Sequence, residues 1–171
     1  MSNDLTVQSR QSVKGIKDIL KGVTEQHKAI SKIKTPKVHI QQKPAGNNKT
    51  LDFVGHPYMR DIANSEFPGW SWKIIKGEAL GSEAYVVHGR LRWFDNGVWR
   101  DGDMVAAHRI QQKKDGSGFV DVGNDIKAAN TDCMKKAFNV YLNIADDVYK
   151  ANIKTEEEIE RELEEKKLDG F

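Results

Sequence analysis

The sequence predicts an α+β fold: a helix, a three-stranded antiparallel β-meander and a long helix, with a basic N-terminal arm and an acidic C-terminal tail. Two observations support this. Apolar and polar residues alternate around a preferred hairpin dipeptide, Asn96-Gly97, whereas the flanking stretches repeat apolar residues every three or four positions. Charge then divides the chain into an arm (1–50) with ten Lys and Arg against three Asp and Glu, a near-neutral core (51–150) and a tail (151–171) with eight acids against four bases.

The composition restricts the class of protein. The chain has 171 residues, 30% of them charged, and no apolar run approaches the roughly 18 residues that span a bilayer. Its start, MSNDLTVQSRQS, lacks the features of a secretory signal, which predicts a cytoplasmic protein. The single cysteine, Cys133, excludes an internal disulfide and fits a reducing compartment.

The arm contains an amphipathic helix pattern with its lysines largely off the apolar stripe. Gly15 and Gly22 weaken this helix by about 1 kcal/mol each relative to alanine, so we expect it to form against a partner or the core. The stretch KPAGNNKT (43–50) is predicted to be a linker. The apolar stripe is formed by Val13, Ile16, Leu20, Val23, His27 and Ile30.

The core is predicted to begin with a helix in HPYMRDIANSEF (56–67). Pro57 suits its first turn, where a missing N–H costs little, and Pro68-Gly69 ends it. The residues that share its apolar face are Met59, Ile62, Ala63 and Phe67.

Three strands follow, in WSWKIIKG (70–77), EAYVVHGRLRWF (83–94) and VWRDGDMVAAHRIQQ (98–112), the last bent or bulged at Gly102. Alternation in the middle strand places Arg90 and Arg92 on the face opposite Leu91. Helices should cover one face of this sheet and leave the arginine face partly open.

The last core helix is predicted from about Asn124 to Tyr149. On a helical wheel Lys135 falls opposite the apolar stripe and Lys136 on its flank. The tail stretch TEEEIERELEEKK is predicted to be a charged helix or disordered. The stripe comprises Ile126, Ala129, Cys133, Ala137, Val140, Ile144 and Val148.

The sequence contains no signature of a catalytic or metal site. It has no Walker A motif, HExxH, GxSxG or paired cysteines, so we predict no cofactor, no metal and no enzymatic activity. His88 and His108 could face one another on paired strands, where a structural hydrogen bond is the preferred interpretation. Cys133 lies on the apolar stripe and is interpreted as core.

Three motifs together resemble a known family. MRDIANSEFPGWSWKI is similar to the helix-into-strand signature of the single-strand annealing proteins of the Rad-fifty-two type, GRLRWFDNGVWRDG to their hairpin, and DIKAANTDCMKKAF to their second helix. The resemblance covers about residues 54–150. The C-terminal stretch YLNIADDVYK departs from it by lacking glycines.

The resemblance implies an ATP-independent protein that binds single-stranded DNA and anneals complementary strands in recombination or repair. It implies a homo-oligomeric ring or filament with a basic groove, and relatives in phages. By matching position, Lys135, Lys136 and Arg90 would contact DNA; charge placement adds Arg92, Lys127, Arg60 and the arm lysines. A single-strand binding protein or exonuclease is the expected protein partner, and the small size favours a phage or bacterial source.

Three alternatives stay open. Helix, three strands and helix is also the order of a double-stranded RNA-binding module. A metal-dependent nuclease would use Asp101, Asp103 and Asp132. A scaffold would bind proteins through the amphipathic arm and the acidic tail.

Overall fold

The computed structural model describes residues 3–45 and 49–151, and side chains from residue 15 onward. The acidic tail prediction lies outside these residues. The elements are helix α1 (Asn3–Ser31), a 3-10 turn (Lys37–His39), strands β1 (Ile40–Pro44) and β2 (Thr50–Val54), helix α2 (His56–Glu66), strands β3 (Ser71–Leu80), β4 (Ala84–Asp95) and β5 (Val98–Arg109), and helices α3 (Val122–Leu142) and α4 (Asp146–Tyr149).

The predicted α+β fold is confirmed: α2, the β3-β4-β5 antiparallel sheet and α3 occur in the expected order. Asn96 and Gly97 both have positive φ, 47° and 93°, as a tight hairpin turn requires. Burial alternates along β4, so Leu91 is buried while Arg90 and Arg92 are exposed. Helix α3 covers the Leu91 face, and the arginine face is open.

The irregularity in the sheet lies in β3 and not at Gly102. The register between β3 and β4 shifts between Ile74 and Lys76, whereas β4 and β5 pair without a break through Gly102. Gly102 has a different role, because a Cβ there would come within 2.6 Å of the Tyr141 ring. Its missing side chain lets α3 pack closely on β5.

The stretch interpreted as a linker belongs to a second small sheet. Strands β1 and β2 pair antiparallel from Ile40 with Val54 to Pro44 with Thr50, so the hairpin spans the predicted boundary at residue 50. Residues 46–48 lie outside the described part. Tyr149 ties β2 to the C-terminal end of the core, since its hydroxyl lies 3.3 Å from the Val54 amide that donates to it.

The last helix is shorter than predicted and faces the core differently. Helix α3 ends where Asn143 adopts a left-handed conformation, and Ile144 follows in the break before α4. Val140, expected in the core, is 60% exposed, whereas Phe138 and Leu142 are fully buried. The physical reason is that α3 packs on two sides, against the sheet and against α2.

A buried carboxylate anchors α1 to the core. Asp95 is fully buried and accepts hydrogen bonds from His27 at 2.9 Å, Arg100 at 3.1 Å and Trp93 at 3.3 Å. Burial alone would raise the pKa of Asp95, but these hydrogen bonds outweigh it and hold the pKa below its ordinary value. The C-terminal part of α1 is therefore fixed against the β4–β5 turn.

His27 connects the Asp95 site to the C-terminal end of α3. Its Nδ1 lies 2.7 Å from Asn143 Oδ1, and the Asn143 amide nitrogen donates to Asp146, which orients that oxygen toward the ring. Its Nε2 faces the Asp95 carboxylate, so both ring nitrogens meet acceptors. The ring thus links Asp95 on β4 to Asn143, where α3 ends.

The main core lies between α3, α2, the sheet and the β1–β2 hairpin, with Ile30 of α1 buried at its edge. A smaller cluster of Val87, Ala106, Ala129 and Cys133 joins α3 to the sheet. In the described ranges, no helix is long and apolar enough to cross a membrane.

We expect Gly89→Ala to destabilise the fold. A Cβ at Gly89 would collide with the Trp72 ring, whose Nε1 donates to Asn130 on α3 at 2.9 Å and so resists displacement. Overpacking of this kind typically costs about 1–3 kcal/mol, and each kcal/mol lowers Tm by roughly 2–4 °C in a chain of this size. Thermal unfolding followed by circular dichroism measures the change.

The matched control is Gly15→Ala. Position 15 lies in α1, and apart from its neighbours in the helix no atom of the described residues lies within 4 Å of the added Cβ, so alanine should leave Tm unchanged or raise it. An unchanged Tm for Gly89→Ala would contradict the packing described for Trp72.

Candidate nucleic-acid interface

A cavity of about 510 Å³ lies between the β1–β2 hairpin, α3 and the end of β5. Lys43 of β1 and Phe53 of β2 reach it from the same face of the hairpin, because Lys43 pairs with Leu51 and Phe53 pairs with Gln41. The lining residues are Lys43, Phe53, Ala107, His108, Asp132, Lys135, Lys136, Asn139, Val140 and Tyr149. Both predicted lysines of α3 are among them.

Two lysines approach one aromatic ring in this cavity. The Lys135 ammonium lies 5.1 Å from the centroid of the Phe53 ring, and the Lys43 ammonium lies 5.8 Å from it. Each contact is a cation–π interaction of the kind worth about 0.5–2 kcal/mol. Phe53 therefore has both positive charges within 6 Å of its ring centroid.

Lys135 is half-buried, which differs from its predicted position on the solvent side of α3. The hairpin, absent from the sequence-based prediction, covers this flank of the helix. Burial lowers the pKa of Lys135; Asp132 opposes the change, and the positive charge of Lys43 adds to it. An anion in the cavity would relieve the repulsion between the two lysines.

Lysines outnumber acidic residues among the described residues that line the cavity. Lys136 is exposed beside Lys135, and among the described residues no carboxylate lies within 4 Å of the Lys135 or Lys136 ammonium group. Asp132 is the one acidic lining residue, and its carboxylate contacts His108 Nδ1 at 3.2 Å. We refer to Lys43, Lys135 and Lys136 as the lysine cluster.

Arg60 lies on the same side of the molecule as Lys135. His56, at the start of α2, contacts Met134 of α3 at 3.2 Å. Burial lowers the pKa of His56, and the positive charges of Arg60 and Lys135 lower it further. Arg60 is about half-exposed on α2, and Asp61, 3.5 Å away, offsets part of its positive charge.

Arg90 and Arg92 lie on the other face of the sheet. Their neighbour Leu91 is buried on the α3 side, so within one copy the sheet separates the two arginines from the lysine cluster. Arg90 donates to both carboxylate oxygens of Asp103, at 2.5 Å and 2.9 Å. Arg92 stacks over the Trp99 ring, 4.6 Å from its centroid.

The six individually predicted DNA-contacting residues therefore lie in different parts of the molecule. Lys135 and Lys136 line the cavity and Arg60 lies nearby, Arg90 and Arg92 occupy the open face, and Lys127 is exposed on α3 without lining the cavity. Phe53 and His108 were missed, and Lys43 was included only as one of the arm lysines. The signal that could have identified Lys43 is the pair of short stretches IQQKP and TLDFV around a Gly- and Asn-containing turn.

The structure separates the acids of the nuclease alternative. Asp101 and Asp103 lie on the open face near Arg90, whereas Asp132 is on α3 with His108. In residues 3–45 and 49–151, no group of three metal-ligating side chains comes together. His88 and His108 do not face one another either, because His88 pairs with Val105 and contacts Asp103 on the open face, while His108 pairs with Tyr85.

No protein-family model matches this sequence, and a search of curated proteins likewise finds no match.

The contact with Arg90 should give the Asp103 carboxyl a measurably low pKa. The hydrogen bond from Arg90 is the main cause that lowers the pKa of Asp103 from 3.8 to about 2. Because the folded-state pKa is depressed, the pair stabilises the fold above pH 3.8 and its contribution disappears as the pH falls toward 2. Arg90→Gln should move the pKa of Asp103 upward, as measured by carboxyl-carbon NMR.

Arg92→Gln is the control, because Arg92 contacts Trp99 and not Asp103. An Asp103 pKa that stays low without Arg90 would contradict the assigned cause.

Proposed function

We propose that this protein binds single-stranded DNA through the lysine cluster and anneals complementary strands without ATP, as a homo-oligomeric ring or filament acting in recombination or repair. The main support for the proposal is the half-buried Lys135, because its ammonium and that of Lys43 both approach the Phe53 ring. Lys136 lines the same cavity. The resemblance of three motifs to the Rad-fifty-two type proteins supports it independently.

The electrostatics of the cavity suit a phosphate backbone. Two ammonium groups that repel one another near a shared ring are stabilised by an anion bound close to both. Each phosphate that a lysine neutralises also releases counterions, which adds a slope of about −0.7 to the log–log salt dependence for a single strand. The cluster is therefore a site for a polyanion whose binding weakens as salt rises.

Contacts of this kind carry no sequence information, which annealing requires. Lysine ammonium groups on flexible stems bind phosphate as point charges and leave base edges unread. Phe53 has its face occupied by two lysines, so it serves to hold cations and is not assigned a base-stacking role. Bound bases would stay available to a second strand.

The arginines of the open face have a secondary role in this proposal. Arg90 is neutralised by Asp103 and lies near Asp101, so it offers less net charge than Lys135 or Lys136. The sheet lies between the two surfaces, so Arg90 and Arg92 join the same DNA path only where neighbouring copies supply opposite faces. This arrangement is consistent with an oligomer.

Lys135→Ala with Lys136→Ala should weaken binding of single-stranded oligonucleotides of any sequence. Removing one charge-assisted interaction costs about 1.5–3 kcal/mol, so we expect affinity to fall about tenfold or more. The salt slope should become shallower by about 0.7 for each phosphate that is no longer neutralised. Fluorescence anisotropy at several salt concentrations measures both quantities.

The matched control is Lys113→Ala with Lys114→Ala, which removes the same charge from the exposed loop after β5. Equal losses of affinity in the two double variants would mean that net charge alone matters. Binding and annealing by the Lys135/Lys136 variant at the parent level would refute the assignment of the site.

The assembly state tests the second half of the proposal. Light scattering should give a mass several times the 19.3 kDa of one chain, with and without oligonucleotide. Repetition of the cluster along one strand is what raises the affinity of a weak site. A single chain at all concentrations that still anneals strands would refute the ring or filament and leave the DNA site in place.

A further inference from the structure

A second cationic site lies between the C-terminal half of α1, strand β5 and the end of α4. It is a groove of about 450 Å³, which we call the α1 groove. Lys28 and Lys32, one helical turn apart, line it from α1 and the residue after it, Arg100 lines it from β5, and Lys150 lines it from the residue after α4. No described residue lines both the α1 groove and the cavity of the lysine cluster.

The charges around the α1 groove do not balance. In residues 3–45 and 49–151, four cations and no acidic residue line it. Arg100 and Lys150 have carboxylate partners behind the surface: Asp95 lies 3.1 Å from the first and Asp146 lies 2.7 Å from the second. Both carboxylates are buried, so the cations are the charged groups that face the groove.

Lys28 and Lys32 are compensated least. Both are exposed, and in the part of the chain that the structure describes neither has a carboxylate within 4 Å of its ammonium group. The negative end of the α1 dipole lies near them, but it amounts to only about half an elementary charge. Like charges four residues apart on a helix also repel one another. An anion bound near both lysines would remove this repulsion.

Arg100 is held in place for such an anion. Its Nη1 donates to Asp95, and the guanidinium lies over the Trp93 ring, 5.3 Å from the ring centroid. A guanidinium has five N–H donors in a rigid planar fork, so the contact with Asp95 leaves donors for a ligand. This fork matches the oxygen atoms of a phosphate group.

We propose that the α1 groove binds a phosphate group through Lys28, Lys32 and Arg100. The cations reach the groove from three separate elements, and a phosphate group has enough acceptor oxygens to meet donors from several directions at once. The exposed side chains make the groove open to solvent, so the phosphate group can be free or part of a larger molecule. The site does not rest on the proposed function, because its residues are distinct from the lysine cluster.

Binding at this place would strengthen the attachment of α1. A phosphate group that contacts Lys28 and Arg100 joins α1 to β5, and the two residues are brought together only when α1 is docked on the core. A ligand that binds only the docked form stabilises that form by mass action. Phosphate should therefore protect the two lysines and also raise Tm.

Lysine acetylation followed by mass spectrometry tests the site in the full chain. Inorganic phosphate is added at constant ionic strength, with chloride as the reference anion. A bound anion keeps an ammonium group protonated and shielded, so acetylation of Lys28 and Lys32 should slow about fivefold or more at ten times the Kd. Lys17 and Lys21 are the internal control, because they are exposed on the same helix and do not line the groove.

The pattern of protection decides between a site and a general effect of the anion. Protection of Lys28 and Lys32 with unchanged rates at Lys17 and Lys21 supports the proposal. Equal protection of the two pairs overturns it, since phosphate then acts on all α1 lysines alike. Unchanged acetylation of all four lysines also overturns it.

Thermal unfolding with variants gives a second readout. Phosphate at ten times its Kd should raise the Tm of the parent by about 3–6 °C. Lys28→Gln with Lys32→Gln should lose this rise, and Lys28→Arg with Lys32→Arg should keep it. Lys17→Gln with Lys21→Gln is the matched control and should also keep the rise. A rise that persists in the Lys28/Lys32 glutamine variant would overturn the proposal.

A further variant separates this site from the lysine cluster and identifies the source of the phosphate. Lys135→Ala with Lys136→Ala should keep the Tm rise with inorganic phosphate; loss of the rise in this variant would overturn the proposal. The acetylation experiment is then repeated on this variant with a single-stranded oligonucleotide in place of phosphate. Protection of Lys28 and Lys32 by the oligonucleotide assigns the groove to a nucleic-acid backbone, and protection by inorganic phosphate alone assigns it to a small phosphate; both results support the site.

Discussion

The position of α1 and of the β4–β5 turn depends on how one buried carboxylate is compensated. Asp95 has no exposed surface, and an unpaired charge in such a place would cost several kcal/mol. Donors from α1, β4 and β5 converge on it, and His27 extends the network through Asn143 to the end of α3. The same requirement is met throughout the described residues, where no buried side-chain nitrogen or oxygen lacks a hydrogen-bond partner.

The positive charges of the lysine cluster are compensated less completely than the buried charge of Asp95. Lys135 loses part of its hydration under the hairpin, yet its nearest charged neighbours include a second lysine as well as Asp132. Phe53 supplies a partial counterpart through its ring face, which attracts cations without neutralising them. Groups held in a less favourable charge state cluster at binding and catalytic sites more than elsewhere, and this is the physical basis for choosing the cavity as the candidate site.

The sequence predicted the sheet well and the site only in part. Period-two alternation and Asn96-Gly97 are local signals, so β4, the turn and the exposed positions of Arg90 and Arg92 followed from them. The wheel for α3 failed at Val140 because it assumed one packing partner, whereas Phe138 packs on a second side. Lys43 was not distinguished from the other arm lysines because its strand ends in a Pro- and Gly-containing stretch. The Arg90–Asp103 pair joins residues on two strands, so no local pattern reveals that this arginine is neutralised.

The number of lysines in the cavity limits the affinity that one copy can have for a polyanion. If each neutralised a phosphate, the salt slope would be about −2, and such a site binds weakly at physiological salt, where the Debye length is about 8 Å. Arg90 and Arg92 cannot be added to it in the same copy, since the sheet lies between them and the cluster. Under the proposed function, useful affinity for a long strand requires the cavity to recur along the DNA, within an assembly whose repeat brings successive clusters to the same backbone. Because the sheet separates the two cationic surfaces of one copy, the proposed function needs contributions from several copies.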